Sequence, residues 1–318
     1  MRFKIATRIF NEEYFIESFL RYYQNLGANE ICIFDGESTD NSLKIIERMQ
    51  KKFSKLKISI KIVDSDRNYR HKGYLQQTQF CNLILRYAIE DFLKIQEDTA
   101  WFFPDVDEFI RTPKSGNILG FLSKNTSDIM RSVFIEWFYP PKMEKIDIKP
   151  VKILEDIKAD KLRGNVMDLW GDPFQKDYVI KLNHLNITEF KNLYTTSGFH
   201  RLILNKQMLI PPNRDFLIVD HLHGVPFNIF SQRVEKNLEL LKNKKDEWSY
   251  NHFSHLMNLI NDYENFYNNS LKISEEIELQ LNKIHEFDNS KSYFNNVIMR
   301  DNLNELGVSK PSMHDYKS

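Results

Sequence analysis

The stretch WFFPDVDEFIRT, residues 101–112, ends an apolar run in Asp105, Asp107 and Glu108 before apolar residues resume. Carboxylates at the end of a buried strand are costly unless they are paired or hold a cation. On a strand, residues i and i+2 point the same way. Asp105 and Asp107 can therefore chelate a hard divalent ion together, with nucleotide phosphate oxygens completing its shell. The competing reading is the solvated end of an ordinary strand. A second acid, Asp35, closes the apolar run EICIF and precedes Gly36, which lets the backbone turn tightly. There it can accept hydrogen bonds from a base or a ribose. Asp40, with Ser38 and Thr39, stands where it could touch the same ligand or cap the next helix. The segment VDHLHG, 219–224, sets Asp220, His221 and His223 at a strand-to-loop junction, where a histidine in reach of the acids could complete a metal site. His200, in SGFHRL, is a weaker candidate. The basic loop RNYRHKG, 67–73, could reach a diphosphate, and Gln76 and Gln79 open the helix that follows it.

These residues need elements to position them. FKIAT, at 3–7, is a short apolar run that breaks at Asn11 and Glu12. Phe15, Phe19, Tyr22 and Leu26 then follow at helical spacing and Gly27 ends the pattern. EICIF, 30–34, and KISIKIV, 57–63, read as buried strands separated by a helix with Leu43, Ile46, Met49 and Phe53 on one face. A further helix carries Leu75, Gln79, Leu83 and Tyr87 and leads to the strand AWFF. Alternating units of this length predict a mostly parallel sheet flanked by helices. In such sheets ligands bind beyond the carboxyl ends of the strands. Three of the four strand ends are polar or acidic: Asn11 with Glu12, Asp35 with Asp40, and Asp105 with Asp107. Beyond them, strand-like runs fall at 129–139, 150–154, 178–182, 200–204 and 216–219. From 227 the pattern is helical and charged, with segments at 227–244, 251–267, 274–286 and 291–305, and the last ten residues look frayed. The expected division is residues 1–226 as the ligand-binding domain and 227–318 as a helical C-terminal extension.

The chain has 318 residues, with Lys plus Arg equal to Asp plus Glu at 44 each. A dedicated nucleic-acid binder usually carries a basic excess, so nucleic acid is not an expected partner. The two cysteines, Cys32 and Cys81, lie in apolar periodic segments and read as core residues. No apolar run approaches the roughly 18 residues that cross a bilayer. The opening MRFKIATRIFNEE turns acidic too soon for a signal peptide. The expected location is cytoplasmic, with peripheral contact at the inner face of the membrane left open.

Taken in order, these motifs resemble glycosyltransferases of the GT-A fold, in the family 2-like and family 92-like groups. ATRIFNEEYFIESFLRYYQNLGANEICIFDGESTDNS is similar to that group's opening, R-x-x-N-E followed by D-x-x-S-T-D. QQTQFCNLIL resembles its next helix, WFFPDVDEFI its D-x-D-E-F segment, and FIEWFYPP, loosely, a strand beyond it. HLHGVPFNIFSQR resembles H-Y-x-x-K-S-x-x-x-F-x-x-K, although Leu222 and Pro226 depart from the usual Tyr and Ser. The resemblance covers residues 3–237.

The resemblance implies a GT-A, Rossmann-like fold and transfer of a sugar from a nucleotide-diphosphate donor, UDP-sugar favoured, to a saccharide or glycolipid acceptor in surface glycan synthesis. The implied cofactor is Mn²⁺ or Mg²⁺, held by Asp105, Asp107 and His221, with Asp105 also reaching the diphosphate. Arg8, Asn11, Glu12, Asp35, Asp40 and Gln76 are then donor-binding candidates, Asp35 through the uracil or ribose. An inverting enzyme needs a base, for which Glu136 and Asp172 are the candidates. Trp137 and Trp170 could stack on a sugar or pack in the core. The C-terminal helices are open to three roles: dimerisation, contact with a membrane-borne acceptor, or packing on the sheet. The alternative function is a non-catalytic sugar-nucleotide-binding or scaffold protein with a degenerate transferase fold.

Overall fold

The computed structural model describes residues 1–63, 74–112, 117–140, 149–158, 161–166, 168–169, 172–173, 175–205, 207–209, 216–222, 227–241, 257, 260–269, 271–272 and 316–317. The chain opens with β1 (Arg2–Ile9), α1 (Ile16–Asn25), β2 (Glu30–Asp35), α2 (Ser42–Lys52), β3 (Lys57–Val63), α3 (Tyr74–Ile95) and β4 (Thr99–Phe102). The alternation of β1 explains how its sheet is covered on both sides. Phe3 and Ile5 join Ile31 and Ile33 under Phe19 and Tyr23 of α1 and Ile46 and Met49 of α2. Ala6 joins Cys32, Phe34 and Trp101 under Ile84, Ala88 and Phe92 of α3. Both cysteines are free and buried, as expected of core residues. Helix α1 stops at Gly27, whose φ of 96° is open to glycine and strained for other residues.

The four strands are parallel, in the spatial order β4-β1-β2-β3. From β1 the chain steps outward to β2 and β3; α3 then carries it back to the other side of β1. The crevice between the ends of β1 and β4 is therefore the topological switch point, where open α/β sheets take their ligands.

Beyond β4 come β5 (Glu108–Arg111), α4 (Ile118–Lys124), β6 (Ile129–Phe138), α5 (Pro150–Lys158), β7 (Arg163–Val166), β8 (Asp168–Leu169), β9 (Asp172–Pro173) and β10 (Gln175–Leu182). They are followed by α6 (Ile187–Phe190), β11 (Leu193–Thr195), β12 (Leu202–Leu204), β13 (Gln207–Met208), β14 (Leu217–His221) and α7 (Phe227–Leu241). β10 runs antiparallel between β4 and β6, and β14 pairs parallel with β6 and antiparallel with β5. The result is a large curled α/β sheet, parallel through its first four strands and flanked by helices, of the Rossmann-like GT-A type. The segment 150–154, expected as a strand, is instead the start of α5. Proline suits the first helical position, and Ile153, Asp156 and Ile157 are buried at helical spacing.

Of the region expected to be helical, α7 forms, and Tyr263–Asn269 is a second helix. Phe230 and Val234 of α7 pack with Leu238, Met257 and Ile260 in a small cluster of their own. The expected helices at 274–286 and 291–305 lie outside the described residues. Two short segments return to the sheet: Leu271–Lys272 pairs with β7 at one edge, and Tyr316–Lys317, within the stretch expected to fray, pairs with β3 at the other. Among the described residues, no helix is long and apolar enough to cross a membrane.

Candidate active site

The strand register brings most of the candidate residues to one edge. Arg8 is the penultimate residue of β1, and Asp105 lies three residues past the end of β4. Across the switch point Arg8 Nε donates to Asp105 Oδ1 at 3.3 Å. Lys176, near the start of the antiparallel β10, reaches the same place. Its Nζ is 3.3 Å from Asp105 Oδ2 and in direct contact with Glu108 Oε1. It also lies over the Phe134 ring, 5.2 Å from the centroid. Glu108 turns back to accept from the Asp105 backbone N–H at 2.8 Å. Two cations and two carboxylates are thus locked together, with Lys176 and Glu108 only 4% and 1% exposed and Asp105 the most open at 35%.

Burial alone would push Asp105 up, but Lys176 and Arg8 outweigh it and hold the carboxyl well below its ordinary range. Burial dominates at Glu108, whose pKa is raised despite Lys176. Lys176 itself is held above its ordinary value, because Glu108 and Asp105 more than offset its desolvation. The cluster rests on a fixed layer beneath. Tyr23 Oη donates to the Glu108 carbonyl at 2.9 Å and Tyr22 Oη to the Ile110 carbonyl at 2.7 Å, tying β5 to α1.

A second group stands beside the first. In the sheet, His221 is paired with Glu108 on one side and Glu136 on the other. Its Nδ1 bonds Glu136 Oε2 at 2.7 Å, and its Nε2 faces Asp107 Oδ1 at 3.9 Å. Desolvation pulls the imidazolium down, but Glu136 and then Asp107 and Glu108 lift its pKa to about 9. The ring is a cation at neutral pH.

This geometry bears on the divalent ion that the sequence resemblance implies. Asp105 is engaged with Arg8 and Lys176. Asp107 and Glu136 lie at opposite ring nitrogens of His221, and the nitrogen facing Glu136 is already taken up by a 2.7 Å hydrogen bond. Among the described residues, no group of three or more His, Cys, Asp or Glu side chains is placed to hold a metal ion. Asp105, Asp107 and His221 come to the same edge but do not meet as one ligand set.

The donor-binding candidates divide into two groups. Arg8 faces the cleft, with Phe103, Pro104, Asp105, Gly198 and Phe199. Asn11, Glu12, Asp35 and Asp40 instead tie together the segments that follow β1 and β2. Asn11 adopts φ 57° and its Oδ1 accepts from the N–H groups of Thr39 and Asp40, at 2.7 and 3.3 Å. Asp40 accepts from the backbone of Glu13 at 3.0 Å and of Ser42 at 2.9 Å, so its role near the start of α2 includes the structural one. Glu12 is buried, and its N–H donates to Ser42 Oγ at 2.8 Å. Asp35 is fully buried, accepting from Ser38 Oγ at 2.6 Å and from the Ser38 N–H; burial raises its pKa against the pull of those bonds.

Of the two readings of Trp137, the structure takes the core one and not the sugar platform. Trp137 is 1% exposed, and its indole N–H donates to Asp220 Oδ1 at 3.0 Å. Alternation along β6 explains this, since Glu136 takes the phase that meets His221. Asp220 is further paired with Arg111 at 2.8 Å, so it anchors the core rather than the cleft. His200 lies against Gly198, where a Cβ would come within 3.0 Å of its ring. Asp172 forms part of β9 and Gln76 part of α3, but both side chains lie outside the described ones, as do Trp170, His223 and the loop 67–73. Lys176 is the one central residue that the sequence did not single out. A register shift between Asp177 and Val179 breaks the alternation of β10, so counting residues does not tell which face Lys176 takes.

No family model matches the chain, and no curated protein matches it. Among solved structures, it is similar to glucosyl-3-phosphoglycerate synthase from Mycobacterium tuberculosis in complex with Mn²⁺, uridine diphosphate and glucosyl-3-phosphoglycerate. The identity is 13%, the coverage 62% of this chain and 61% of that one, and the TM-score 0.30. The same enzyme with Mn²⁺, uridine diphosphate and phosphoglyceric acid gives 13%, 62%, 60% and 0.30. The chain thus spans less than two thirds of the length of either structure.

Proposed function

We propose that the chain is a glycosyltransferase moving a sugar from a nucleoside-diphosphate donor, UDP-sugar favoured, to a saccharide or glycolipid acceptor, and that residues 1–226 carry the site. The observation that supports this most is the Arg8–Asp105 pair across the switch point, backed by Lys176. It offers fixed cationic groups where α/β sheets take nucleotides, and a leaving diphosphate needs charge stabilisation there as the sugar becomes oxocarbenium-like. The base falls to the neighbouring group. An imidazolium cannot accept a proton, which leaves its carboxylate partner Glu136 to take one from the acceptor hydroxyl, with His221 stabilising the developing charge. Surface glycan synthesis is the setting this reading favours.

The test is nucleotide release from a panel of nucleoside-diphosphate sugars, with and without mixed oligosaccharide and glycolipid acceptors. The reading expects one donor to release its nucleotide in an acceptor-dependent way, with Glu136→Gln reducing turnover at least a hundredfold while donor binding persists. Donor binding with no turnover on any acceptor would favour a non-catalytic sugar-nucleotide binder. Neither binding nor release would end both readings.

A further inference from the structure

The Arg8–Asp105–Lys176 cluster supports more than a location. Paired carboxylates past a strand end usually call for a divalent ion because nothing else balances them. Here the protein supplies the balance itself: Lys176 Nζ lies between Asp105 and Glu108, and Arg8 Nε takes the other oxygen of Asp105. The Arg8 bond uses only Nε. Among the described residues its two terminal nitrogens have no hydrogen-bond partner, and the side chain is 24% exposed on the cleft. A guanidinium fixed through Nε presents the fork that matches two phosphate oxygens. Phe103 and Phe199 stack at 4.3 Å between centroids and form a rigid apolar wall to the same cleft.

We propose that the donor's diphosphate is gripped by the Arg8 fork without a divalent ion, that the buried Lys176 ammonium offsets the charge of Asp105 without itself touching the ligand, and that Asp105 is a positioning residue that aims the guanidinium. This rests on the nucleoside-diphosphate reading above and departs from the metal that the sequence resemblance implies. The cations are already desolvated and held before ligand arrives, so little reorganisation accompanies binding. Asp107 Oδ1 faces His221 Nε2 at 3.9 Å and is not called on for the grip.

The experiment is calorimetric titration of the full chain with UDP, GDP, ADP, CDP, dTDP and inorganic pyrophosphate, in EDTA and in Mn²⁺. Wild type is compared with Arg8→Gln, Arg8→Lys and Asp105→Asn, and the melting temperature of each unliganded variant checks that it folds. The expected result is binding of a nucleoside diphosphate in EDTA within about threefold of its affinity in Mn²⁺. Arg8→Gln should weaken it at least tenfold, about 1.4 kcal/mol, and Arg8→Lys, which keeps charge but loses the fork, should fall between. Asp105→Asn should change affinity by the same factor in both buffers, which a metal ligand would not do. Binding that vanishes in EDTA, returns with Mn²⁺ and loses that response in Asp105→Asn would overturn this proposal and leave the transferase reading standing. Wild-type affinity in folded Arg8→Gln would also overturn it. No binding of any nucleotide or of pyrophosphate in either buffer would overturn both.

Discussion

Replacing Lys176 by methionine removes the counter-charge from a carboxylate that is 1% exposed. Arg8 still pairs with Asp105, so the charge that loses its direct counter-ion is that of Glu108, which retains the bond from the Asp105 backbone N–H at 2.8 Å. Breaking a buried pair from one side costs about 3–5 kcal/mol, and that remaining bond points to the lower end, about 3 kcal/mol. Glu108 can relieve part of the cost by taking a proton, because burial already raises its pKa. A folded-state pKa above the unfolded value favours folding while the group is protonated, and that advantage fades as pH rises through the folded pKa. The loss in Lys176→Met should therefore be largest near pH 8 and shrink towards pH 5. In the Glu108→Gln background no charge is orphaned, so the same lysine replacement should cost at least about 1.5 kcal/mol less, within the usual range for contacting residues. Urea unfolding of the four proteins at several pH values measures this. If Lys176→Met costs under about 1 kcal/mol, or the two replacements add independently, the cluster is not the buried ion pair described here.

Three further outcomes follow from the geometry. His221 should titrate near pH 9 by NMR, and Glu136→Gln should bring the midpoint down towards 6.5; its stabilising contribution is present below 6.5 and is lost as pH rises through 9. Glu30, buried between Lys4 and Lys57, has its pKa lowered: burial raises it, but the hydrogen bonds from Lys57 and Lys4 win. Its contribution is therefore full above its ordinary 4.5 and is lost as pH falls through the lower folded value, so Glu30→Gln should flatten the acid limb of a stability–pH curve. Asn11→Ala should destabilise by about 2–3 kcal/mol, combining lost hydrogen bonds with a strained φ of 57°, whereas Asn11→Gly, which is free of the strain, should cost about 1 kcal/mol less; equal losses would show that the backbone angle is not limiting.

The parallel half of the fold was legible because its strands are continuous apolar runs and its helices keep a clean one-sided stripe. Asp105, Asp107 and His221 were legible as residues at one edge, since acids and histidines at strand ends stand out against such runs. Their partners were not. Arg8 and Asp105 are 97 positions apart, and only the return of α3 across β1 makes them neighbours. Lys176 was hidden by the register shift in β10, and Trp137 was ambiguous because a tryptophan beside a glutamate reads equally well as a platform or as core. Segment 150–154 was misread for a related reason: a short apolar stretch has no period of its own, and the buried Ile157 that reveals the helix lies outside it.

The two short C-terminal strands have a consequence for handling the protein. Leu271–Lys272 and Tyr316–Lys317 occupy opposite rims of the sheet, on β7 and β3. A version cut after residue 226 would retain every cation and carboxylate of the cleft, yet uncover rows of backbone donors and acceptors on both rims. Such rows template pairing with other chains. The tail's contribution would then show up as colloidal behaviour: a shortened protein that still binds but self-associates as its concentration rises.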